Sequence, residues 1–180
     1  MTVRWIGTVR KLRVCACALV LLAGPSGPFL AAEPVKIAVF PFELEDFSAA
    51  GGVVPPDARD ATYLAQATDQ AKKWLAESGK YVVVDTAHAQ DEPARGRTMR
   101  SCRGCVGPIT KKLGADQALL GVITRISRTE YTLLIQFYDA ATGEPVARHF
   151  TGLRMGADYS WPRGVVWLMK NRILARSDPR

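Results

Sequence analysis

The first 32 residues constrain this chain most, because they separate the part that folds from a part that addresses it. Met1 to Arg13 carries Arg4, Arg10, Lys11 and Arg13 and no acidic residue. Val14 to Leu22 (VCACALVLL) is apolar, Gly24, Pro25 and Gly27 interrupt any helix, and Leu30-Ala31-Ala32 closes the stretch before Glu33-Pro34. A basic start, an apolar middle of about ten residues and a small-residue end is the layout of a cleavable secretory signal peptide. The run is shorter than the roughly 20 apolar residues a spanning helix needs. The expectation is cleavage near Ala32, with residues 33–180 folding as a single secreted domain in the periplasm. Glu33 rather than Cys follows Ala32, so no lipid anchor is expected at that site.

The leader also carries the charge argument. Four of the 24 Lys and Arg residues lie in it and none of the 17 acidic residues does, so residues 33–180 carry +3 where the whole chain carries +7. A balance that small removes the motive for a nucleic-acid partner. No second apolar stretch approaches spanning length, so no membrane span is expected after cleavage. Cys15 and Cys17 leave with the leader, and Cys102 and Cys105 are left to pair with each other in an oxidising compartment.

The folded part reads as alternating elements. Val35 to Phe40 is a β-branched, apolar run stopped by Pro41, which suits a buried first strand. Glu43 to Pro56 reads as an acidic, glycine- and proline-bearing loop. Asp57 caps a helix whose apolar positions recur at helical spacing (Leu64, Ala67, Thr68, Ala71, Trp74, Leu75) and which Gly79 ends. Tyr81 to Val84 is a second strand, and Asp85 to Arg100 a polar connection. A short helix over Cys105–Leu113 follows. Ala118–Ile126 and Tyr131–Tyr138 form a hairpin about Ser127–Glu130, and a turn at Gly143 leads to a third arm over Pro145–Phe150. Ser160 or Asp158 caps a last helix from Trp161 to about Ala175. The order β-α-β-α-β-β-β-α predicts an α/β domain with a mixed sheet of about five strands. Its first strands should be parallel and its helices should cover one face.

Val35-Lys36-Ile37-Ala38-Val39-Phe40-Pro41-Phe42 resembles the opening strand of bacterial envelope domains typified by the TolB N-terminal domain and the CsgG and LpoB groups. A likeness across more of the chain links it to a secreted bacterial family of unknown function. Phe40-Pro41-Phe42-Glu43-Leu44, Cys102-Arg103-Gly104-Cys105, Leu113-Gly114-Ala115-Asp116 and Trp161-Pro162-Arg163-Gly164 carry that likeness. It implies an envelope protein as partner, and relatives that accompany periplasmic quinoprotein alcohol dehydrogenases extend the implication to a dehydrogenase system.

Cys102-x-x-Cys105 is the one constellation with chemistry of its own. A helix N-terminus beside it and Arg95, Arg97, Arg100 and Arg103 around it would lower a thiol pKa, giving a redox-active dithiol. The alternative is a local disulfide stapling a loop to its helix. That ring is smaller than the 15-residue loop whose closure contributes about 3 kcal/mol. Val106 in place of His excludes haem attachment, and His88 and His149 are too few to complete a zinc site. No nucleophile elbow, phosphate loop or dinucleotide fingerprint is present, so neither a catalytic residue nor a cofactor is expected. Glu43, Glu45 and Asp46 are candidates for contact with a partner or ligand. So are Trp161, otherwise a core anchor, and Arg163, which stands where a helix start could receive an anion. The expected function is a non-enzymatic binding or accessory module for another envelope protein. A thiol–disulfide protein and a small-ligand carrier, with a pocket between the acidic stretch and the last helix, are the alternatives.

Overall fold

The apolar run after Pro34 becomes the interior of the sheet. In a computed structural model, residues 33–49, 51, 57–87, 98–102, 104–127, 129–154 and 160–175 are described, together with Thr2. The fold lies within Ala32–Arg180. Strand β1 (Val35–Val39) is parallel to β3 (Tyr81–Val84) on one side and to β4 (Gln117–Arg125) on the other. β4 then pairs antiparallel with β5 (Glu130–Asp139), and β5 with β6 (Pro145–Arg154), giving the order β3-β1-β4-β5-β6. Parallel early strands and an antiparallel meander are the expected arrangement. The third arm is longer than expected, reaching Arg154.

A sixth strand was hidden in the stretch read as an acidic loop. Glu43–Asp46 forms β2, parallel to β4 beyond the end of β1. Three charges in four residues disfavour a strand by propensity. The strand persists because Leu44 packs into the core and the charged side chains find partners, described below.

Between β1 and β2 the ladder slips. Val39 lies opposite Leu119, whereas Glu43 lies opposite Val122, so the β1–β2 side carries one residue more than β4 does. Pro41 has no amide hydrogen to give the ladder, and Phe42 N donates to Thr68 Oγ1 at 2.9 Å instead of to a strand. One extra residue inverts the alternation of side chains. Phe40 therefore joins one core cluster, with Ala38, Ala118 and Leu120, and Phe42 the other, with Ile37, Val39, Leu119 and Ile123.

Helices occupy both faces of the sheet, not one as expected. α1 (Ala58–Glu77) and α3 (Ser160–Leu168) cover the face of Ile37, Leu119, Leu133 and Ile135, with Leu75, Trp161, Val165 and Leu168 fully buried. α2 (Val106–Lys112) covers the opposite face through Val106 and Ile109. The reason is legible in β4, where Ala118 to Ile123 is buried without interruption, so both sides of that strand need a cover. Asp57 caps α1 as expected, accepting from Arg59 N at 2.9 Å. Ser160 begins α3 rather than capping it, and α3 ends early, passing into a π-turn over Met169–Ile173. The leader apart from Thr2, Pro55-Pro56, His88, Arg95, Arg97, Arg103, Asp158 and Arg176 lie outside the described residues.

Gly121 makes the slip possible, since a Cβ at that position would overlap the ring of Phe42. Gly121→Ala should therefore cost about 1–3 kcal/mol in denaturant unfolding. Combined with Phe42→Leu, it should cost less than the sum of the two single changes. Strictly additive costs would mean that the ring and the new methyl group do not compete for one space.

Candidate functional site

The inverted alternation of β2 sends its acidic side chains to two different places. Glu43 and Glu45 face the α2 side and meet Arg100, which lies in a 3₁₀ turn over Met99–Ser101. Arg100 Nη1 is 3.3 Å from Glu43 Oε2, and Arg100 Nε is 3.5 Å from Glu45 Oε1. Arg100 Nη1 also donates to Leu44 O at 3.2 Å. The Glu43 carboxylate accepts from the amides of Met99 and Arg100 as well, so it closes the first turn of that segment.

Asp46 faces the other way, toward Arg125 on β4. Arg125 Nη1 lies 2.9 Å from Asp46 Oδ2, and Arg125 Nη2 lies 2.7 Å from Asp60 Oδ1 on α1. The guanidinium carbon sits 5.6 Å from the ring centre of Tyr131 and 5.9 Å from that of Trp161. One cation thus joins β2, β4, β5, α1 and α3. Asp60 is 3 % exposed, so its charge depends on Arg125. Burial works against the charged guanidinium, but the hydrogen bonds to Asp60, Tyr131 and Asp46 outweigh it and hold its pKa above the ordinary arginine value. Burial likewise raises the Asp46 carboxyl, while hydrogen bonds from Ser48 and Arg125 outweigh it and hold the group below its ordinary value.

Each sequence-derived candidate now has a place. Glu43, Glu45 and Asp46 are engaged within the chain. Trp161 is fully buried, with its ring 6.3 Å from that of Tyr63 and 5.7 Å from that of Tyr131. Arg125 links Asp46 to the ring of Trp161. His149 is half-buried on β6, edge-on to Phe137, and burial first and Arg172 second hold its pKa below the ordinary value.

Cys102 and Cys105 are joined as a disulfide, their Cα atoms 5.7 Å apart. Cys102 follows the 3₁₀ turn that Glu43 caps, and Cys105 precedes α2 and packs against the second core cluster. Of the cations expected to activate a thiol here, Arg100 faces the carboxylates of Glu43 and Glu45.

Sequence reasoning missed a groove on the outer side of α1 and α3. It measures about 410 Å³ and is lined by Gln70, Pro162, Arg163, Val166, Trp167, Lys170 and Asn171. Of the sequence candidates only Arg163 belongs to it, and Trp167, on the last helix, is 46 % exposed there. Lys170 Nζ stands 4.7 Å from the ring centre of Trp74, and the Arg172 guanidinium stands 5.9 Å from that of Trp167. The sequence signal was present: Arg163, Trp167 and Lys170 recur at i, i+4 and i+7, one helical stripe.

Residues 35–173 match the family model DUF3280, described as protein of unknown function (DUF2380). The chain belongs to that family. No curated protein matches it. Among solved structures it is similar to the LpoB C-terminal domain from Salmonella enterica, at 15 % identity and a TM-score of 0.49 over 71 % of this chain and 87 % of that one. It is also similar to the lipoprotein GNA1162 from Neisseria meningitidis, at 18 % identity and a TM-score of 0.46 over 69 % and 84 %. A third is TolB from Acinetobacter baumannii, at 11 % identity and a TM-score of 0.43 over 76 % of this chain and 28 % of that one. No helix among the described residues is long and apolar enough to cross a membrane. The family's function is unknown, so a functional reading rests on this chain's own residues.

Arg125→Met should destabilise the protein by about 3 kcal/mol in chemical unfolding, because it leaves the Asp60 charge buried without its counter-ion. Adding Asp60→Leu should recover part of that loss. The Asp46 carboxyl titrates lower in the folded than in the unfolded chain. Its contribution is therefore present above about pH 3.8 and is lost as pH falls through the folded value. Melting curves taken down the acid range should show this loss in the parent and less of it in Asp46→Asn.

Proposed function

We propose that this protein is a periplasmic, non-enzymatic accessory module that binds another protein of the cell envelope, after a leader ending near Ala32 is removed. The open groove over α1 and α3 carries the reading. The carboxylates of Glu43, Glu45, Asp46 and Asp60 face Arg100 and Arg125 and serve the fold, whereas the groove presents Trp167 and two or more cations to solvent. An exposed tryptophan beside arginine is the pairing enriched at protein-binding surfaces. The comparisons offer no support for a dehydrogenase system as the partner.

On this reading Cys102–Cys105 is a structural bridge that holds the 3₁₀ turn to α2. A thiol–disulfide function is the second reading, favoured by the position of the pair at the head of a helix. The two readings differ in reduction potential: below about −300 mV for a structural bridge, above about −200 mV for a redox pair.

The test is cross-linking and affinity capture from the periplasmic fraction with the tagged full-length gene product, checking its N-terminus by mass spectrometry. The proposal expects a start near Glu33 and a discrete partner that excess untagged protein displaces. A purified protein that captures nothing and turns over a substrate by itself would contradict it.

A further inference from the structure

We infer that the α1–α3 groove is a docking site for an acidic peptide segment of the partner protein. This inference deepens the accessory reading above and rests on it. The first argument is charge. The lining contains Arg163 and Lys170 but no carboxylate, and Arg172 stands over the ring of the lining residue Trp167. Lys170 and Arg172 are both exposed, and each lies against an aromatic face, a contact that leaves its positive charge intact. Arg163 already has an engagement of its own, so Lys170 and Arg172 carry the argument.

The second argument is backbone geometry. Lys170, Asn171 and Arg172 do not lie on regular α-helix; they lie on the π-turn Met169–Ile173 that follows α3. Such turns are rare and recur at functional sites, because the wider turn re-aims side chains that a regular helix would place elsewhere. Here the turn keeps Met169 fully buried while Lys170 and Asn171 line the groove. Asn171 Nδ2 donates to Trp167 O at 2.8 Å, which ties the turn back to the helix.

The third argument is shape. Pro162, Val166 and Trp167 supply apolar surface between the polar walls of Gln70, Lys170 and Asn171. A concave space of about 410 Å³ suits a few side chains of one extended or helical segment. A membrane surface calls instead for a continuous apolar face rimmed by cations. The favoured ligand is therefore an Asp/Glu-rich segment carrying an apolar residue for Trp167.

The test is fluorescence anisotropy of labelled oligo-glutamate and oligo-lysine peptides against the full-length gene product, with phosphatidylglycerol vesicles as a third arm. Oligo-glutamate should bind in a salt-sensitive manner, and the oligo-lysine peptide and the vesicles should not. Lys170→Glu and Arg172→Glu should each weaken binding about tenfold, and Trp167→Ala should weaken it as well. Arg148→Glu, the same charge change on β6, should leave binding within about twofold. Circular dichroism melts on each variant separate lost binding from lost folding. Absence of oligo-glutamate binding, equal loss in Arg148→Glu, or capture by vesicles alone would overturn the assignment. Partner capture that persists while the peptide fails to bind would overturn the groove and leave the accessory reading standing. Peptide binding without any captured partner would do the reverse.

Discussion

One slipped residue in the ladder against β4 organises most of what lies around it. Had the first strand run on in register, Glu43 would stand opposite Ile123. The observed pairing puts Leu44 there and moves Glu43 to Val122. Leu44 and Asp46 then face α1 and α3, and Glu43 and Glu45 face the side of α2. Pro41 starts the slip by withdrawing a donor, Thr68 accepts the Phe42 amide released by it, and Gly121 leaves room for the ring.

Two arginine clusters follow from that phase. Asp46 reaches Arg125, which also neutralises Asp60 and lies against Tyr131 and Trp161. Glu43 and Glu45 reach Arg100 and fix the turn that leads into the disulfide. The clusters differ in kind. Arg100, Glu43 and Glu45 remain partly solvated, where ion pairs contribute about 0–1 kcal/mol each. Asp60 is nearly excluded from water, so losing its partner costs far more than the pair itself contributes. The acidic residues of β2 are thus tied into the fold, and among the described residues an open groove lies on the outer side of α1 and α3.

Much of the fold was legible in the residues. The hairpin arm Tyr131 to Tyr138, glycine turns at Gly79 and Gly143, and helical spacing in α1 all carried through. Strand β2 was not, because Glu43-Leu44-Glu45-Asp46 lacks strand propensity and its stability comes from Arg100 and Arg125, which are distant in sequence. The cover on both faces was visible only in the uninterrupted burial of β4. Among the site residues, the acidic candidates were chosen for their charge, which cannot reveal whether a partner already sits within the chain. Trp167 stands in solvent on the same helix that buries Trp161, and composition alone does not tell the two tryptophans apart.

The phase of β2 is the claim on which both clusters stand, and nuclear Overhauser contacts from the backbones of β1 and β2 to that of β4 read it directly. The account predicts contacts placing Val39 opposite Leu119 and Leu44 opposite Ile123 within one folded species. Contacts placing Glu43 opposite Ile123 would show an unbroken ladder and contradict it.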